Sequence, residues 1–581
     1  METATDFTSL VLEIFKKCAG RSGCEVCREH MEEDCLFFPE IYRMQDLTEE
    51  IGTPPDEKAL ASLVDLCTLC GLYPCQDIRM LVLKAKAARA EEKKPPLSAR
   101  LLSDARQAGR WGTAFSAVIN PLNRLTSVTT LAKKALDIHP QRSLPVFPKE
   151  NFFAWAQKRG LTAPVKHAEK NVPRVAYFVG CSAGYLFPDV ARAAVELLEQ
   201  NGIRVFVPSQ DCCSMPLIME GNQKTAEKRI QANLETLGAC VQDGYDIVCS
   251  CPTCGYFFKT LLVETAYYSN AFQQKSGTDA TVMKVPSGSK NQTFTTVPKK
   301  IYQNILKDNG YFSGIDPLQR IDLSLKIKDM GEYLLSLQNS GKVAVALRFP
   351  EQPLAYFAPC HQREQGMGQP YYQLIGALPG ADIKQVGSDM QCCGMGGHLG
   401  YKKNFHDHSL AIGRPVLDKL SVESGRTLVT DCLSCRLQLQ HTLFAPVFHP
   451  LEMLQGIKGG ENKTKKPSGS HELKHPVQRN QGFLDDVRGH KYLIAGHIKN
   501  PGQAFQVIEL HPGTPGTASA GRALAGGGGN DQFLVRNRLL HFKKDALVRC
   551  YDKPLPARLP AGIDDLRRGT DKISQIDDRL G

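Results

Sequence analysis

Ten of the chain's twenty cysteines obey one spacing, written twice. Cys181 is followed after 30 residues by the adjacent pair Cys212 and Cys213, and after 37 more by Cys251-Pro-Thr-Cys254. Cys360 is followed after 31 residues by Cys392 and Cys393, and after 38 more by Cys432-Leu-Ser-Cys435. Two five-cysteine patterns that match within a residue imply an internal duplication. The middle of the chain is therefore expected to fold as two like units, each gathering five sulfurs.

The flanking residues say how. Each half opens with an apolar run of buried-strand character, RVAYFVG before Cys181 and PLAYFAP before Cys360. In the first half DVARAAVELLEQNG follows, with Val190, Ala194, Leu197 and Leu198 at helical spacing and an Asn-Gly stop, and IRVFVP then reads as a second strand. That is a β-α-β unit. A third strand, YDIVCS, delivers Cys251, and TLVTD delivers Cys432. Sites on parallel sheets collect beyond the carboxyl ends of the strands, where all these cysteines fall. Each half closes alike, on Asp329-Met-Gly-Glu332 and on His449-Pro-Leu-Glu452. They differ by an insertion from 265 to about 325, whose stretch KSGTDATVMKVPSGSKNQT has loop composition.

Adjacent cysteines on a turn present two sulfurs to one metal centre. A structural zinc site takes four ligands, so a fifth cysteine in both copies is surplus, whereas iron-sulfur clusters accept more varied thiolate ligation. Zinc and inert thiols stay as alternatives, since a lone CxxC is an ordinary signal. Gly394, Gly396 and Gly397 suit close backbone approach with N–H groups aimed at sulfur, or else a plain turn. His361 and His398 are candidates for hydrogen bonds or proton donation near the cysteines, against the alternative of solvated side chains.

The repeated pattern resembles the CCG cysteine-rich domain of heterodisulfide reductase B/D-type subunits and of the iron-sulfur subunits of anaerobic glycerol-3-phosphate, glycolate and lactate oxidation systems, over about residues 172 to 455. The second copy matches fully, with Cys393-Gly394-Met395-Gly396-Gly397; the first reads Ser214 where the family has glycine. The resemblance implies two duplicated α/β lobes, 172–340 and 341–455, with cubane or non-cubane four-iron clusters held by Cys181, Cys212, Cys213, Cys251 and Cys254 and by Cys360, Cys392, Cys393, Cys432 and Cys435. Ahead of them, Cys18, Cys24, Cys27 and Cys35, then Cys67, Cys70 and Cys75, resemble a helical ferredoxin-like 4Fe-4S module over 1–83. The phrase CREHMEEDCLFFPEIYRM is similar to modules that precede CCG domains. Tyr73 stands where a third ligand is expected, and seven thiolates do not fully ligate two cubanes, so one cluster, two, or a zinc module remain open.

The expected architecture is thus α+β and multidomain: the ferredoxin-like module, a helical linker over 84–171 broken by Pro95 and Pro96, the two lobes, and a tail over 456–581. Stretches such as IKGGENKTKKPSGSHELKHP and ALAGGGGN mark that tail as disordered or weakly folded. It holds 21 basic and 13 acidic residues, so +8 of the formal charge of +11 lies there, and charge does not argue for nucleic acid. No apolar run reaches membrane-spanning length and the N-terminus lacks a signal-peptide layout, so a cytoplasmic protein is expected, peripheral at the membrane through partners. No Gly-x-Gly-x-x-Gly follows a strand, and no bound flavin is expected. What the resemblance implies is an electron-transfer subunit with one or two clusters in the N-terminal module and one or two in the lobes. It would carry electrons from a flavoprotein dehydrogenase toward a membrane quinone-reducing subunit or another carrier. Disulfide reduction at a CCG-bound cluster and a zinc scaffold are the alternatives.

Overall fold

The computed structural model describes residues 6–19, 31, 35–52, 55–71, 75–164, 172–277, 279–287, 293–340, 352–387, 390–423 and 425–455, and seven strands between 481 and 551. It divides into two units, Met1–Gly460 and Glu461–Gly581.

The first unit begins with helices α1 (Phe7–Ala19), α2 (Phe37–Ile51), α3 (Glu57–Leu66) and α4 (Gln76–Glu92). In α1 the buried Phe7, Leu10, Val11, Ile14 and Cys18 recur at helical spacing and face Leu60, Leu63, Val64, Ile78 and Val82 in one core. Asp56 caps α3, its carboxylate accepting from Ala59 N at 2.7 Å. Cys67 and Cys75 stand at the end of α3 and the start of α4. Cys24, Cys27 and Tyr73 lie outside the described residues. Short helices fill 97–103, 105–114, 116–122, 126–135 and 152–158.

Two four-stranded parallel sheets follow. The first is built from β1 (Arg174–Phe178), β2 (Arg204–Phe206), β3 (Asp246–Cys249) and, after a hairpin of β4 (Val282–Pro286) with β5 (Phe294–Pro298), β6 (Ile327–Asp329), in the order β2-β1-β3-β6. The second uses β7 (Leu354–Tyr356), β8 (Ile383–Gln385), β9 (Thr427–Val429) and β10 (Val447–Phe448), in the order β8-β7-β9-β10. The strand orders are the same, so the duplication read from the cysteines extends to topology. Helices Pro188–Gln200, ending at Asn201-Gly202, and Gln223–Gln242 cross over in the first sheet; His406–Ser421 does so in the second. Tyr177, Tyr356 and Tyr371 share a buried cluster with the helix 188–200.

The insertion is not only loop. VMKVP and FTTVP pair antiparallel, because Met283 and Val285 alternate inward while Lys284 points out, a period of two masked by the polar residues around it. The described strands of the second unit are Gln481–Asp485, Lys491–Ala495, Ala504–Leu510, Ala518–Gly526, Gln532–Val535, Arg538–His541 and Leu547–Tyr551. They form one mainly antiparallel sheet, since runs such as KYLIA and AFQVIEL have strand composition between Gly- and Pro-rich connections.

Candidate functional site

Every motif cysteine sits just past the carboxyl end of a parallel strand. Cys181 enters the helix Gly180–Tyr185 after β1, and Cys360 opens Cys360–Arg363 after β7. The pairs Cys212-Cys213 and Cys392-Cys393 occupy the loops after β2 and β8. Cys251 and Cys432 precede the helices Pro252–Tyr256 and Leu433–Leu443, whose first turns bring in Cys254 and Cys435.

Within each lobe the five sulfurs are neighbours in the same sequence. Cys181 Sγ lies 3.6 Å from Cys212 Sγ, and Cys360 Sγ lies 3.9 Å from Cys392 Sγ. From there contact runs from Cys212 to Cys213, Cys254 and Cys251, and from Cys392 to Cys393, Cys435 and Cys432. The cysteine neighbour and then burial push Cys181 and Cys360 well above the ordinary thiol range. Cys254 and Cys435 are raised by two neighbouring cysteines each and by burial. Cys392 moves the other way, favoured by Cys360, Cys393, the Gly394 N–H at 3.4 Å and Arg363. Five thiols this close, most of them buried, do not all ionise unaided; a multiply charged metal centre is what permits it. The donor set fits a thiolate-ligated centre in both lobes.

Both groups open onto one cavity, which reaches solvent. Nine of the ten motif cysteines line it, with Cys212 behind, and Cys70 and Thr68 of the N-terminal helical region complete the wall beside Met215, Met219 and Met395. Cys18, Cys35, Cys67 and Cys75 are not in that lining. Burial pushes the Cys35 thiol up to about 11, with Cys67 and Cys392 among its charged neighbours. Cys240 and Cys249 are buried in a helix and in β3.

The two histidines singled out by sequence are bonded rather than solvated, His398 buried and His361 half-buried. His361 stacks on Tyr256 with ring centroids 4.6 Å apart. Its Nε2 meets Leu69 O at 2.9 Å and its Nδ1 meets Thr253 Oγ1 at 3.0 Å, so it ties the N-terminal region and the first lobe to the second. Tyr256 continues to Arg79 of α4 through its hydroxyl, which accepts from Nη1 at 2.6 Å. His398 Nε2 lies 2.7 Å from Glu220 Oε1, and Lys402 donates to the same carboxylate at 3.0 Å. Burial opposes that charge, but His398 and Lys402 hold Glu220 down at about 2. Thr68, Thr253, Tyr256, Arg79 and Arg363 carried no sequence signal, because each acts through a partner distant in the chain.

The CCG cysteine-rich domain profile matches residues 175–259 and again 354–440. The chain carries two CCG domains. Similar proteins include the C subunit of the anaerobic glycerol-3-phosphate dehydrogenase of Escherichia coli (strain K12), 23% identical over 375 residues, covering 64% of this chain and 80% of that protein. Lactate utilization protein A of an Exiguobacterium species is 24% identical over 298 residues, 49% of this chain and 99% of that one. The B subunit of the fumarate reductase (CoM/CoB) of Methanothermobacter marburgensis is 24% identical over 273 residues, 46% of this chain and 42% of that one. Among the described residues no helix is long and apolar enough to cross a membrane.

Proposed function

We propose that the chain is an iron-sulfur electron-transfer subunit of an oxidoreductase complex. Cys181, Cys212, Cys213, Cys251 and Cys254 would hold one four-iron centre, and Cys360, Cys392, Cys393, Cys432 and Cys435 another. The observation that carries this reading is the pair of five-sulfur groups, largely buried, in mutual contact and turned onto one cavity. When bound, such clusters supply one-electron chemistry. The protein's part is to bury the thiolates, aim backbone N–H groups such as that of Gly394 at sulfur, and set Arg363 beside Cys360 and Cys392. Cys18, Cys24, Cys27, Cys35, Cys67, Cys70 and Cys75 would serve a ferredoxin-like module with one or two further clusters. The neighbourhood of Cys35 with Cys392, and of Cys70 with Cys360, supports a route from that module into the second lobe.

The donor in this reading is a flavoprotein dehydrogenase of glycerol-3-phosphate, lactate or glycolate type, and the acceptor a quinone-reducing subunit or other carrier; the names of two relatives, a glycerol-3-phosphate dehydrogenase subunit and a lactate utilization protein, support the first two substrate types. A second reading, reduction of a disulfide in the shared cavity, is favoured by the methionines that line it with the sulfur groups. Iron and acid-labile sulfide assays with low-temperature electron paramagnetic resonance on anaerobically purified protein test the proposal. Iron, sulfide and several overlapping signals are expected, and zinc without sulfide would end the electron-transfer reading. Turnover of a disulfide by the isolated chain would select the second reading.

A further inference from the structure

The segment joining the N-terminal helices to the first lobe does more than connect. Trp111, Phe115, Val118, Leu122, Leu125, Val128 and Leu131 recur every three or four residues, and all are exposed, Trp111 at 55%, Val118 at 58% and Leu131 at 69%. Trp111 and Phe115 stack on each other at 5.6 Å. The helix Thr126–Ala135 has no buried residue. A ten-residue helix is marginal in water by itself, and here its apolar side chains have nothing over them among the described residues.

The stripe is nonetheless held firmly from below. Asp104 takes a two-pronged ion pair from Arg229, and Arg106 pairs with Asp211, both on the first lobe. Gly109 lies against Tyr185, where a Cβ would come within 2.5 Å, and Gly112 lies against Phe147. At the other end Ile138 bridges to Lys402, and Arg142 donates to Gly400 O at 2.6 Å and Ser409 Oγ at 3.0 Å on the second lobe. The strap therefore spans both lobes with its small residues inward and its large apolar residues outward.

Charge says what covers it. Between residues 105 and 135 there are five Lys or Arg and no Asp or Glu; Arg110, Arg124 and Lys134 are exposed beside the stripe. A linear apolar face edged by cations alone is what an interfacial helix presents to anionic lipid. We infer that residues 105–135 lie on the surface of an anionic lipid bilayer, Trp111 to Leu131 among the acyl chains and Arg110, Arg124 and Lys134 at the headgroups. This goes beyond the proposed electron-transfer role, in that the chain itself touches lipid, and it holds whatever centre the cysteines carry. It also sets the first sulfur group close to that surface, because Tyr185 under Gly109 belongs to the helix that contains Cys181.

The test is flotation of the full-length, cluster-loaded protein with phosphatidylcholine vesicles, with and without phosphatidylglycerol. Flotation is expected with the phosphatidylglycerol vesicles at low salt, falling as salt is raised. The double variant Leu125→Asp/Leu131→Asp should weaken it by at least about tenfold, and Arg124→Glu/Lys134→Glu by about fivefold or more for each cation removed. Those side chains are exposed, so iron content and circular dichroism should match the parent. Absence of flotation with either vesicle by fully loaded protein overturns the inference. So does flotation that survives Leu125→Asp/Leu131→Asp. Loss in that variant of a co-purifying protein, with vesicle binding unchanged, would reassign the face to a protein partner.

Discussion

The two lobes share a strand order and a cysteine order, yet they differ at the residue after each cysteine pair. In the second lobe this is Gly394, in the first Ser214, and both have φ of +78°. Such an angle suits glycine and strains serine. The backbone conformation is thus the invariant, set by turning two adjacent sulfurs toward one point, and residue type adapts to what lies nearby. A Cβ on Gly394 would stand 1.9 Å from Ser409 O on the helix 406–421, and one on Gly413 of that helix would stand 2.5 Å from Cys393 O in return. Ser214 is also fully buried, but its hydroxyl finds room, with Ala226 O and Cys212 O each 3.4 Å away. In the second lobe glycine answers a packing demand; in the first only a conformational one.

The comparison breaks first at the sulfurs. Cys213→Ser and Cys393→Ser should each remove one paramagnetic centre and leave the other, read as loss of about half of the iron in the lobes; identical spectra from both variants would mean that the lobes do not hold separate centres. Gly394→Ser then places the first lobe's residue in the second. With a carbonyl where the new Cβ must go, the lobe is expected to lose about 3 kcal/mol or more and its centre with it, as read by thermal melting and iron content.

A smaller asymmetry follows the first cysteine of each motif, Ser182 in one lobe and His361 in the other. Only the second lobe therefore has a ring that reaches Leu69 O and Thr253. His361→Ala should cost about 2 kcal/mol and free the segment around Cys67 to Cys70, seen as faster amide hydrogen exchange there with the sheets unchanged. Equal exchange in variant and parent would show that Tyr256 and Arg79 hold the segment without the histidine.

The lobes also close with the same device built from opposite chemistries. Asp329 Oδ1 accepts from Gly331 N at 2.8 Å and His449 Nδ1 from Leu451 N at 3.1 Å, while Glu332 and Glu452 reach back to the N–H of residues 329 and 449. Burial raises Asp329 to about 7 and lowers His449 to about 3. The native state thus holds the Asp329 proton more tightly than the unfolded chain, so that contribution is complete below about pH 4 and lost as pH rises toward 7. His449 is kept neutral, so its contribution is complete above about pH 6.5 and lost as pH falls toward 3. Asp329→Asn, which keeps an acceptor, should flatten the fall in melting temperature between pH 4 and 7; His449→Asn should flatten the acid side instead. The same slope from both variants would mean that other groups govern the profile.

The sulfur groups were legible in the sequence because spacing is a local property and strand ends could be read from RVAYFVG and PLAYFAP. That the two lobes are alike followed from the duplication. What stayed hidden depends on contacts distant in the chain: Thr68 and Cys70 in the wall of the cavity, His361 on Tyr256, Glu220 between His398 and Lys402. The hairpin of β4 and β5 was missed because its alternation is short and sits among polar residues. The apolar stripe from Trp111 to Leu131 was readable as helix but not as exposed, since periodicity gives a face and not what covers it.

The smallest effect tests whether the left-handed turn or the residue in it matters to the first lobe. Ser214→Gly removes a side chain from a conformation that disfavours it by about 1–2 kcal/mol, but it also removes the contacts to Ala226 O and Cys212 O and adds backbone freedom to the unfolded chain, which together offset about 1 kcal/mol. The expected outcome is a melting temperature equal to the parent's or slightly above it, with iron content and the paramagnetic spectrum unchanged. A loss of the first centre alone would show that the Ser214 hydroxyl fixes Cys212 and Cys213 in place, making the serine a functional difference between the lobes and not a tolerated one.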